Sequence, residues 1–215
     1  SASSGMPSGA SSTPAITHAA LDELTRGWTH IDTIHAGISP GNRAPRGRSV
    51  VEAILSWTGS PVRVFENGAW RTRPGWSGTH KRRIGRLGKR RFALAETPDL
   101  DLLPHSYAPR MDAVFTAGLE LGLLHRGLAV LGWLKAIGFA QTYAPAAGTL
   151  QWLSSLLRPF GSDRGGMYVE ALGRDEREGR GGVAGEPDQR ATVFEQALDE
   201  LAGVGLVVDH EDAQP

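Results

Sequence analysis

Gly37-Ile38-Ser39-Pro40-Gly41-Asn42-Arg43-Ala44-Pro45-Arg46-Gly47 stands between a strand-like run and a helix-like run, and no core can be built from that composition. Ahead of it, Ile34, Ala36 and Ile38 alternate with Thr33, His35 and Gly37, the period of a half-buried strand. Behind it, Val50, Val51, Ile54 and Leu55 recur at helical spacing. Glycine opens backbone angles closed to other residues and proline fixes φ, so the loop should be shaped rather than slack. Asn42, Arg43 and Arg46 then become directed donors at the start of a helix, where backbone amides also favour an anion. An ordinary strand-to-helix connection with its arginines in water fits the same residues.

Three other stretches belong beside this one: Thr97-Pro98-Asp99-Leu100-Asp101-Leu102-Leu103-Pro104, Phe160-Gly161-Ser162-Asp163-Arg164-Gly165-Gly166-Met167, and Gly9-Ala10-Ser11-Ser12-Thr13-Pro14. The Gly37, Thr97 and Phe160 stretches resemble the second half of bacterial saccharopine dehydrogenase-like oxidoreductases, and the Gly9 stretch resembles the loop that closes the nucleotide-binding half in that family, so the four follow the family's order along the chain over about Gly9 to Asp175. The resemblance implies the substrate and dimerisation domain of a Rossmann-type enzyme that moves hydride between NAD or NADP and an imine or amino-acid-like carbon. It also implies a homodimer and a small-molecule substrate. A Gly-x-Gly-x-x-Gly turn after a first strand, the usual dinucleotide fingerprint, does not occur in that context. The expectation is therefore a substrate half without its nucleotide-binding half, weakly active or inactive alone.

The fold class expected is α/β (α+β), a mixed sheet with helices packed on one face. Residues 1–12 are small and polar and should be flexible, 13–174 form the domain, 175–190 are charged and glycine-rich and should be a disordered linker, and 191–215 hold a short helix and an acidic tail. The resemblance stops at that linker, as a truncated or frame-shifted gene would make it do.

Along the domain, Thr13-Pro14 reads as a helix start, with Ile16, Ala20, Leu24 and Trp28 on one face. Asn67-Gly68 between alternating β-formers marks a hairpin over Val62 to Thr72. Leu100, Leu102 and Leu103 should be buried from a turn-rich segment, and Met111 to Thr116 should be a strand. Leu119 to Ala140 is the most apolar stretch, but Glu120, His125, Arg126, Lys135 and internal glycines argue against a membrane span. Leu124, Leu128, Leu131, Leu134 and Ile137 make it a core or subunit-interface helix, with shallow membrane-surface binding as the alternative.

Net formal charge is zero, yet Arg71 to Arg91 carries nine cations and no acid. That run could serve a non-catalytic module for anions or a membrane surface, or be a solvated basic face. Trp70 and Trp76 suggest base stacking, but no standard nucleic-acid motif is present. The lack of cysteine excludes disulfides and thiolate sites and fits a reducing, cytoplasmic setting, with no secretory leader in the Ser/Gly/Ala-rich start. His30 and His35 match no metal spacing, and His18 is a lone surface histidine. Hydrolase elbow and P-loop motifs are missing. The candidate site residues are Asn42, Arg43, Arg46, Asp163 and Arg164, the arginines holding carboxylate or phosphate and Asp163 orienting Arg164. An internal Asp163–Arg164 turn that shapes entry into the strand Met167 to Leu172 is the other reading.

Overall fold

β1 (Trp28–Ser39) is flanked on both sides by other strands and covered on both faces, so it forms the axis of the molecule. The computed structural model describes residues 13–44, 48–143, 145, 147–175 and 189–192. The chain runs α1 (Thr13–Leu24), β1, α2 (Arg48–Trp57), β2 (Pro61–Glu66), β3 (Ala69–Pro74), β4 (His80–Ile84), β5 (Gly88–Leu94) and α3 (Asp99–Tyr107). It continues with β6 (Asp112–Leu119), α4 (Gly122–Ala136), α5 (Ala147–Leu156), β7 (Gly166–Asp175) and β8 (Gln189–Thr192). The expected α/β chain with a mixed sheet is what forms: β1 pairs parallel with β6 and antiparallel with β7.

Strand order is β3-β2-β6-β1-β7-β8, with β5 also on β6 and β4 on β5. β6 thus serves two hairpins along one edge: Ala113 near its start pairs with Phe65 of β2, and Thr116 to Leu119 pair with Leu94 to Arg91 of β5.

Register sorts the side chains by face. Ile34, Ala36 and Ile38 lie opposite Ala113, Phe115 and Ala117 on one side and Ala171, Val169 and Met167 on the other. Together they form the floor of the main core, which Ala20, Leu21 and Leu24 of α1 and Leu100 and Leu103 of α3 roof over. Full burial of each large apolar side chain here contributes about 1.5–3 kcal/mol. The opposite face carries His35, Gly37, Val114, Thr116, Tyr168 and Glu170. Among the described residues the β4–β5 hairpin, not a helix, covers it.

That hairpin requires a curled sheet. β5 and β7 are separated by β6 and β1, about 14 Å in a flat sheet of ~4.8 Å spacing. Yet the Phe92 and Tyr168 rings meet edge to face at 5.2 Å, and the Arg82 guanidinium lies 4.4 Å over the Tyr168 ring. Tyr168 also reaches across β1 to bond Thr116 Oγ1 at 2.8 Å. Only Gly37 lets it pass: a Cβ there would sit 2.5 Å from Thr116 Oγ1 and 2.6 Å from Tyr168 Cε1.

The β2–β3 hairpin turns at Asn67 and Gly68, φ 52° and 70°, the left-handed pair its sequence demands. Four local expectations are corrected. Trp28 opens β1 instead of ending α1, which stops at Leu24 before Gly27 at φ 85°. Residues 99–107 are a helix, not a turn, and Leu102 faces outward, 39% exposed. Leu119 ends β6, and α4 begins only at Gly122. Residues 189–192 pair with β7 as a strand where the end of a linker and the start of a helix were expected. Residues 1–12, most of the linker, and the rest of the 191–215 segment lie outside the described residues.

Gly37→Ala should lower unfolding free energy by about 1–3 kcal/mol, because an added methyl meets packed atoms on both sides. Gly127→Ala, on α4 with nothing within 4 Å of the added carbon, should raise it by up to about 1 kcal/mol. Urea melts of the two variants measure both, and equal effects would contradict this account of Gly37.

Candidate functional site

The two loops carrying the sequence-selected residues do meet, but their polar groups are largely spent on each other. Gly41 approaches the 162–164 backbone so closely that a Cβ would lie 2.6 Å from the Ser162 carbonyl oxygen. Buried Asn42 donates its backbone N–H to Glu120 Oε2 at 2.7 Å and its side-chain amide to the Leu157 carbonyl at 2.7 Å. Arg43 N–H donates to the Ser162 carbonyl, its exposed guanidinium to the Pro159 carbonyl at 3.3 Å, and its own carbonyl accepts from Arg158. Ser162 gives Glu120 two more bonds, from N–H at 2.8 Å and Oγ at 2.7 Å.

Beneath this latch, Arg90 is 6% exposed; it donates to the Ser39 carbonyl and the Arg164 carbonyl, both at 3.0 Å, and lies 3.4 Å from Glu120. Burial opposes the Glu120 charge, but the Ser162 and Asn42 donors and Arg90 outweigh it and hold its pKa below the ordinary carboxylate value. Arg164 takes part through its backbone. The side chains of Asp163 and Arg164 are exposed, and no hydrogen bond or ion pair joins them among the described residues. Arg46 lies outside the described residues. What is described of the 40–44 loop leaves no cradle for a pyrophosphate, because Ser162 and Glu120 already take its amides.

Sequence reasoning missed a cleft on the curled face, about 320 Å³ and lined in part by His35, Ser77, His80, Asp112, Thr116 and Tyr168. β1 places half-buried His35 opposite Val114 and Glu170, with its Nε2 3.9 Å from Asp112 Oδ2. Asp112 is held in turn by the Asn67 N–H at 2.8 Å. Burial lowers the His35 pKa; Glu170 and Asp112 oppose the shift, while Arg82 and His80 add to it. Thr116 donates to the Ala36 carbonyl at 3.2 Å, so Tyr168 must be the donor in their shared bond. Burial raises the Tyr168 pKa and keeps its proton in place. Ser77 Oγ is buried with no hydrogen-bond partner among the described residues. Neutral His35 beside Asp112 can take a proton from an amine that enters the cleft. The signal in the sequence was the alternation of β1, which puts His35 and Gly37 on the face away from Ile34.

Behind the cleft, fully buried His125 packs on Trp76 at 5.0 Å and lies 3.4 Å from Thr79 Oγ1. Burial, with the charges of Arg91 and His80, lowers its pKa to about 4. Trp76 itself is 3% exposed and its indole donates to the His125 carbonyl, so it stacks on no base. The basic run is dispersed: Arg73 pairs with Glu66, Arg82 with Glu170, and Arg90 with Glu120. No group of three or more metal-ligating side chains occurs among the described residues. No family model matches this sequence, and no curated protein matches it.

Two outcomes follow for stability. Glu120→Ala should cost about 3–5 kcal/mol, since it strands the Arg90 charge and three donors; urea melts at pH 7 report the loss. His125 is neutral in the fold and must charge on unfolding in acid. Its depressed pKa contributes stability present above about pH 6.5 and lost as pH falls towards 4, roughly 3 kcal/mol in all. His125→Phe should flatten that part of the pH–stability curve, and an unchanged curve would remove His125 as its source.

Proposed function

We propose that this chain is the substrate-binding half of a saccharopine dehydrogenase-like NAD(P)-dependent oxidoreductase, and that its substrate rests in the cleft on the curled sheet face. Four motifs in family order support the class. The observation that carries the position is the meeting of His35 and Asp112 at 3.9 Å in the lining of one cavity, with Tyr168 and Ser77 in its wall. In this reading the amino group of an amino-acid-like substrate meets His35 and Asp112. His80 at the rim faces its carboxylates. The dinucleotide is held by residues other than the described loop, and the 40–44 and 158–164 loops shape the domain rather than touch substrate.

The alternative of an anion-binding module built on residues 71–91 is weakened by the three arginines already neutralised in ion pairs. Thermal melts with saccharopine and related amino acids test the proposal. A saturating ligand at about a hundred times its Kd adds roughly 2.7 kcal/mol of stability. His35→Ala should abolish the shift, while Arg43→Ala and Arg164→Ala should retain it. Binding should also weaken in acid as His35 takes a proton, at a pH below the ordinary imidazole value because burial lowers its pKa. A shift that survives His35→Ala but is lost in Arg164→Ala would return the site to the loops, and no shift with any amino acid would sink the substrate reading.

A further inference from the structure

α4 is apolar on both sides, though among the described residues only one side has a partner. Leu124 and Leu128 pack against the main core, and Gly132 is buried against Thr58 and Gly75. On the other side Leu123, Val130, Trp133 and Ile137 are 70%, 55%, 61% and 58% exposed. At 3.6 residues per turn these four positions fall within about 80° of the helix circumference, a second stripe facing away from the first. Exposure of large apolar side chains continues after the helix through Phe139, along α5 at Trp152, and to Phe160.

Charge narrows the choice of partner. From Leu121 to Ser162 the sequence contains no aspartate or glutamate, while Arg126, Lys135 and Arg158 supply positive charge. Arg126 lies within the outer stripe of α4 itself. Apposing two copies through this segment would bring cation against cation with no acid to pair them. Tryptophan, aliphatic and arginine side chains together suit the boundary between hydrocarbon and phosphate, where indole rings settle and guanidinium groups reach lipid phosphates. No helix among the described residues is long and apolar enough to cross a membrane, so such a contact lies on the surface.

We propose that residues 121–162 dock this protein on an anionic phospholipid surface, with the outer stripe of α4, Trp152 of α5 and Phe160 entering the interface. Sedimentation with vesicles is the test. The chain should pellet with phosphatidylcholine vesicles containing phosphatidylserine, and bind pure phosphatidylcholine on the order of tenfold to a hundredfold more weakly, since each basic residue near the surface is worth about 1 kcal/mol. The triple change Val130→Ser, Trp133→Ser and Ile137→Ser should abolish pelleting while leaving the melting temperature near that of the wild type, because all three side chains are exposed. Trp152→Ser with Phe160→Ser gives an independent variant should the first fail to fold. Three results would overturn the proposal. One is no pelleting with either vesicle. A second is undiminished binding by the folded variants, which would transfer membrane contact to the basic strands. The third is a dimer that ignores vesicles and dissociates on the triple change, which would make α4 a subunit interface.

Discussion

The absence of one side chain, at Gly37, decides the shape of the sheet. Tyr168 and Thr116 sit on the two strands flanking β1 and can bond only if the residue between them presents no carbon. Once the phenol lies across the strand, its ring offers a surface to Phe92 and Arg82, and the β4–β5 hairpin folds onto it. Arg82 then reaches Glu170 on the same strand as Tyr168, adding an ion pair in partly excluded water. The cleft exists because the hairpin closes over this face instead of extending the sheet. A flat sheet would have left His35 and Asp112 on an open surface.

Loop geometry is the second organising constraint, and it works through a carboxylate outside both loops. Glu120 lies between the end of β6 and the start of α4, yet it gathers two backbone amides and a hydroxyl from segments 42 residues or more away in sequence. Arg90 beneath it ties the end of β1 to the start of β7 through carbonyl oxygens. A loop dense in glycine, proline, asparagine and arginine therefore has two physical uses that composition cannot separate. Such a loop can present donors to a ligand, or it can accept the close approach of another backbone.

Much of the architecture was legible because it depends on local spacing. The alternation of β1, the helical stripe of α2 and the Asn67-Gly68 turn each follow from neighbours a few residues apart, and each formed where expected. Trp28 and Leu102 were misplaced for the complementary reason: their apolar character fits a helix face, a strand start or a surface, and only the tertiary packing chooses. The cleft lay further out of reach. His35 and Asp112 become neighbours through a parallel pairing of β1 with β6, and Tyr168 joins them only by the curl that Gly37 allows. Lone histidines in a sequence carry no mark of such an arrangement.

The placement of the basic residues has an explanation that needs no anionic partner. β3 ends one path of the sheet and β4 ends the branch through β5, so each leaves one row of backbone donors and acceptors unpaired by any described strand. Arg71 and Arg73 with Pro74 line the first of these margins, and Lys81 and Arg83 the second. Strands exposed in this way are templates for adding a foreign chain, and charge with proline makes them poor ones. The nine cations that dominate the middle of the sequence thus fall largely on the two rims and on β5, the partner of the second rim. Charge and proline on these rims disfavour edge-to-edge growth of the curled sheet.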